Sequence, residues 1–142
     1  MCLGQHESRG DNTLRSPVAH QAGIATPANR VLWALADHQG SVRQLADNAR
    51  AERNRLTYDA FGKITSETAS SVNFLYGFTG LLRDEATGFS GTQTRWYDPT
   101  TARWTSEDWI GFSGGDANLT RYVGNSPTLY VDPSGELWGL GA

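Results

Sequence analysis

The sequence predicts a mainly β chain, on three observations. Val31 to Asp37 alternates with period 2, placing Val31, Trp33 and Leu35 on one face and Leu32, Ala34 and Ala36 on the other, the pattern of a strand. Asp37-x-x-Gly40 recurs 22 residues later as Asp59-x-x-Gly62, each after a strand-like run, and Asp and Gly at that spacing make a tight turn. From Arg95 to Gly135, aromatic residues are interleaved with glycine, with two Asp-Pro dipeptides and with aspartates at 98, 108, 116 and 132. Rings supply large burial per residue, while Asp, Pro and Gly fix bends, so this stretch is expected to be a compact, turn-dense unit.

The bulk composition narrows the function classes. At 142 residues there is room for one domain. Hydrophobic residues make up 38% and aromatics 11%, so the core is built from rings more than aliphatics. A net charge of −3 supplies no basic excess to hold a phosphate backbone, which argues against nucleic acid as a partner. Cys2 is alone, which excludes an internal disulfide. His6, His20 and His38 lack metal-ligand spacing, so neither a metal nor another cofactor is expected. No apolar run approaches the ~20 residues of a membrane span, and the N-terminus lacks the apolar stretch of a signal peptide.

Taken in order, residues 1–30 are polar or small, with prolines at 17 and 27, and are expected to form a disordered leader. Strand Val31–Asp37 enters the first Asp-x-x-Gly turn. The next stretch, SVRQLADNARAERNRL, is open to two readings. It can continue the hairpin through Val42, or it can be a helix with Leu45, Ala49 and Leu56 on one face. The expectation carried forward is a strand to about Leu45 and a polar connection through Arg55. Leu56 to Thr68 repeats strand, turn and strand, with Ile64 matching Val42 two residues past the glycine. Stacked hairpins follow, each burying its face on the next. Two copies are too few to stand alone, so marginal stability or self-association through an open edge is expected. Beyond Phe74–Leu82 come turns at Asp84–Gly88 and Asp98-Pro99. Asp116 is expected to cap one short helix over Ala117–Val123, ended by Gly124. Thr128–Val131 is a last strand before Asp132-Pro133-Ser134-Gly135.

These segments resemble the repeat-associated core of the RHS/YD-repeat family. The matching pieces are LADHQGSVRQLAD, YDAFGKITSET, FTGLLRDEATG, RWYDPTTARW and SEDWIGFSGGDANLTRYVGNSPTLYVDPSG, in the family's order from about Val31 to Leu137. The resemblance implies terminal YD-type hairpins over 31–73, a repeat-associated core over 74–137 and a truncated tail at 138–142. It also implies a hollow β-shell, built by preceding YD repeats, that encloses a C-terminal toxin or effector. The core closes that shell and, in many members, cuts the chain after its DPxG-Leu motif by aspartyl chemistry. Full-length members are secreted or at the cell surface.

The candidate catalytic pair is then Asp108 and Asp132, with cleavage after Leu137. Such a pair must sit close enough to share a proton, one carboxylate activating water while the other polarises the scissile carbonyl. Read without the resemblance, both are turn residues whose carboxylates accept local backbone N–H groups. Trp109 replaces the family's proline, Glu136 separates Gly135 from Leu137, and Ala102 replaces the glycine before Arg103. Arg95, Arg103 and Arg121 lie near the aspartates in sequence, and a guanidinium beside a carboxylate opposes proton sharing; structural ion pairing is their expected use. Gly111-Phe-Ser113-Gly-Gly115 matches a nucleophile elbow, but every histidine precedes it. With few residues after Leu137, the expectation is a mainly structural core that lacks its effector, with self-cleavage impaired. A further alternative is a carbohydrate-binding surface on Trp96, Trp104 and Trp109.

Overall fold

The computed structural model describes residues 16–18, 31–136 and 138–140. It is mainly β, as the sequence predicts. A five-stranded antiparallel sheet runs in chain order through β1 (Ser16–Val18), β2 (Leu32–Ala36), β3 (Val42–Ala46), β4 (Glu52–Tyr58) and β5 (Ile64–Glu67). A four-stranded sheet follows, β6 (Leu82–Arg83), β7 (Ser90–Gly91), β8 (Trp96–Asp98) and β9 (Arg103–Trp104). The last pair is β10 (Tyr130–Val131) with β11 (Gly139–Leu140). Most of the expected leader lies outside the described residues; within it, Ser16–Val18 pairs antiparallel with Leu32–Ala34.

Three hairpin turns of one design organise the first sheet. In each, an aspartate backbone carbonyl accepts the N–H three residues on, and its Oδ1 accepts two further N–H groups. Asp37 takes those of Gln39, Gly40 and Ser41. Asp59 takes those of Phe61, Gly62 and Lys63. Asp47 takes those of Ala49, Arg50 and Ala51. This third turn corrects the expected polar connection through Arg55, because it sends Glu52–Tyr58 back as a full strand. Sequence reasoning passes over it because Arg50, at φ 64°, occupies the left-handed position that glycine fills in the other two. Gly62 is further constrained, since a Cβ there would lie 2.4 Å from the Phe78 ring.

Arg50 and Ala102 are two of the non-glycine residues in the left-handed region. A non-glycine residue at such φ costs about 1–2 kcal/mol, and glycine's greater unfolded entropy offsets only part of the relief. Arg50→Gly and Ala102→Gly (φ 58°) are each expected to raise stability by about 0.5–1 kcal/mol, read as a higher thermal midpoint.

The expected helix over Ala117–Val123 does not form. The Asp116 carboxylate instead caps a turn, accepting the Asn118 N–H at 2.8 Å. The carbonyls of Leu119 and Thr120 accept the N–H groups of Asp108 and Trp104, so they are committed to distant partners rather than to the next helical turn. Only 3-10 turns occur nearby, at Gly111–Gly114 and Val123–Asn125.

Two clusters of buried side chains hold the sheets. Leu32, Ala34, Val42, Leu45 and Phe74 pack under the first hairpins. The buried face of β2 is therefore that of Leu32 and Ala34, while Trp33 and Leu35 lie half-buried on the other. The second cluster, Leu56, Tyr58, Phe78, Tyr97, Trp104, Tyr122 and Val123, joins the first sheet to the second. Tyr97 lies tilted against Tyr122 at 4.2 Å, Trp104 lies edge-on to each of them at 5.6 Å, and Phe78 stacks on Tyr97 at 6.5 Å.

Candidate functional site

Arg95 stands at the entrance to β8, where Thr92 and Arg95 close a bend through backbone and hydroxyl hydrogen bonds. Its side chain turns inward and is only 5% exposed, with the guanidinium carbon 4.4 Å from the centre of the Trp104 ring. Five donors in a planar fork can serve several acceptors at once. Nη2 lies 2.9 Å from the Asp108 Oδ2 and 3.7 Å from the Asp132 Oδ2. Nη1 donates to the Leu119 carbonyl at 3.0 Å, and Nε donates to the Gly135 carbonyl.

The two aspartates reach this point from separate turns. The Asp108 backbone carbonyl accepts the Gly111 N–H and its Oδ1 accepts the Ile110 N–H, which leaves Oδ2 facing Arg95. The Asp132 Oδ1 accepts the N–H groups of Gly135 at 2.8 Å and Glu136 at 3.2 Å, along with the Ser134 hydroxyl. Both carboxylates are largely buried, 9% and 1% exposed. The fold thus brings together Asp108 and Asp132, 24 residues apart, on one guanidinium nitrogen. The expected ion-pairing use holds for Arg95 with the candidate pair and for Arg121 with Asp116 at 3.5 Å, while Arg103 forms a backbone bridge to Arg121.

Burial sets the electrostatics. It pushes the Asp132 carboxyl above the ordinary carboxylate range, and the Gly135 N–H and Arg95 pull it back only in part. Burial also lowers the Arg95 guanidinium, against the opposing charges of Asp108, Asp132 and Glu136. A cavity of about 20 Å³ lies among Arg95, Trp104, Asp108, Asp132 and Glu136, with room for one water molecule. A larger cavity, of about 400 Å³, lies beside Trp33 and Leu35 of β2 and shares no lining residue with this site.

Leu137 lies outside the described residues. Trp104 is 3% exposed and belongs to the core, which overturns the three-ring carbohydrate surface: a buried ring can stack on no sugar. Ala102 does adopt positive φ, so that departure sits where glycine is favoured. Sequence reasoning misses one contact. Trp109 Nε1 donates to the Glu136 carboxylate at 2.8 Å, joining two of the three departures from the family pattern.

Comparison with known proteins agrees with this architecture. The family model for the teneurin YD-shell matches residues 24–124. The chain is 32% identical over 120 residues to double-stranded DNA deaminase toxin A of Burkholderia cenocepacia, covering 82% of this chain and 8% of that protein. It is 30% identical over 119 residues to the toxin protein Tse5 of Pseudomonas aeruginosa, covering 84% of this chain and 9% of the toxin. The chain thus spans less than a tenth of either relative. The crystal structure of TcdB2-TccC3 superposes with a TM-score of 0.71 over 85% of this chain and 6% of that one, at 22% identity, a likeness of fold. With its hairpins on aspartate turns and a family match over most of its length, this chain belongs to the RHS/YD-repeat shell family.

Proposed function

We propose that residues 74–137 close a β-shell around a C-terminal toxin or effector, with residues 31–73 as the last hairpins of its wall. The buried Arg95 carries this reading. One side chain ties the carbonyls of Leu119 and Gly135 to the Asp108 and Asp132 turns, and so fastens the chain's final turn to the ring core. A closure needs that rigidity. Its partners are the preceding YD repeats and the effector. The edge strands of the five-stranded sheet, β1 and β5, are where further hairpins or a second copy of the chain would pair. The test is a longer YD-shell protein in which residues 31–137 replace the matching segment. Protection of its C-terminal region from added protease is expected; rapid digestion of that region from a folded shell would refute closure.

A second reading, self-cleavage after Leu137, is favoured by one observation. Two buried carboxylates share a site with room for one water, and one of them is raised in pKa by burial. The ionised carboxylate would take a proton from that water while the protonated one polarises the carbonyl of Leu137. Water oxygen then bonds to the carbonyl carbon, the C–N bond breaks, and the amine of Trp138 leaves with the proton that the base had taken from water. Against it, Arg95 stabilises both groups as anions and so opposes proton sharing. Intact-mass measurement on the purified chain decides: a product ending at Leu137, abolished by Asp108→Asn or Asp132→Asn, is the expected sign of self-cleavage. A chain that stays whole rules it out.

A further inference from the structure

We propose that Trp109 and Glu136 form a clasp that locks the two aspartate turns together and positions the chain where it leaves the second turn. As a positioning device for cleavage it rests on the self-cleaving reading; as a contact it does not.

Glu136 is held at both ends by different turns. Its backbone N–H donates to the Asp132 Oδ1 and to the Ser134 hydroxyl, each at 3.2 Å. Its carboxylate accepts the Trp109 indole N–H from the Asp108 turn, 27 residues earlier. The Trp109 ring is 74% exposed, so burial does not dictate where it points; the hydrogen bond does. The loop beneath follows the same backbone, since a Cβ on Gly114 would lie 3.6 Å from the Glu136 carbonyl oxygen.

The two residues are complementary in chemistry. A proline at 109 would have no N–H to give, and a chain running directly from Gly135 to leucine would have no carboxylate to receive one. Both departures from the family pattern therefore act as one paired change. Its mechanical result is that the turns cannot separate while the clasp is closed. The chain beyond Glu136 starts from a fixed point beside the small cavity. It is anchored again by β11, whose neighbour Trp138 lies edge-on to Tyr130 at 4.7 Å. Trp109 and Glu136 are thus positioning residues.

Hydrogen exchange of the full chain, followed by mass spectrometry on peptides spanning 132–140, tests the clasp. Trp109→Phe keeps a ring but removes the donor; Glu136→Ala removes the acceptor; Glu136→Gln keeps an acceptor oxygen. Each of the first two is expected to speed exchange in this segment by roughly threefold to tenfold. The double variant should add nothing further, and Glu136→Gln should stay near wild type. Unchanged exchange, or effects that simply add, would overturn the clasp. Intact mass on the same samples separates the two claims. An uncleaved wild type removes the self-cleaving reading while leaving the exchange result decisive for the contact. If wild type is cleaved and Trp109→Phe is cleaved as fast, the positioning role is wrong.

Discussion

Arg95→Met is expected to lower the stability of the fold by about 3–5 kcal/mol at neutral pH, the cost of stranding buried charge. The substitution keeps an apolar stem against Trp104 but removes the counter-charge from Asp108 and Asp132 and the donors from Leu119 and Gly135. Small domains have only about 5–15 kcal/mol in hand, so this one change removes a large share. The deficit depends on pH with a definite sign. Asp132 has a folded pKa above its ordinary value. Such a group contributes stability that is complete below about 3.9 and is lost as pH rises through the folded pKa. Without the guanidinium its pKa rises further. The gap between wild type and variant should therefore be widest at pH 7 and narrow on acidification below pH 4. Urea midpoints at the two pH values check it, and a deficit independent of pH would show that packing, not charge, dominates.

Tyr122→Ala should cost about 3–5 kcal/mol, the range for deleting a buried aromatic ring. Tyr122 is fully buried and meets Tyr97, Trp104 and Phe78 at 4.2, 5.6 and 6.4 Å. Those partners come from the second sheet and from the segment that links it to Leu56 and Tyr58 of the first. Deleting the ring therefore removes contacts that join two sheets, not one local patch. Equilibrium unfolding should show a large loss of midpoint, and a loss below about 1 kcal/mol would mean that the cluster collapses around the gap.

Much of the architecture is legible in the sequence because its turns use one chemistry. Asp37 and Asp59 announce themselves through a glycine three residues on, and the strands on either side follow. Asp47 makes the same turn without the glycine, so the strand behind it is hidden by the polar run around Arg50. The lost helix has a different cause. Residues 117–123 carry a capping aspartate and a terminating glycine, but the carbonyls of Leu119 and Thr120 are drawn off by Asp108 and Trp104, long-range partners that a local pattern does not contain.

The site divides in the same way. Asp108 and Asp132 stand out through their motifs, and Arg95 through its sequence position. Which arginine would enter the core does not stand out. That depends on the Trp104 ring offering a face to a guanidinium, and the sequence, which favours a core place for Trp104, does not say which cation meets it. The Trp109–Glu136 contact is least visible of all, since two departures that each read as loosening a turn are partners in the fold.

The clamp at Arg95 is tested most directly by a double-mutant cycle of Arg95→Met with Asp132→Asn, read by urea unfolding at pH 7. Asparagine keeps the oxygen that accepts the Gly135 and Glu136 N–H groups but removes the charge that Arg95 balances. A charge clamp predicts that Asp132→Asn restores stability in the Arg95→Met background, with a coupling of about 1–3 kcal/mol. Effects that add to within about 0.5 kcal/mol would contradict it, and would mean that Arg95 and Asp132 are neighbours without being partners.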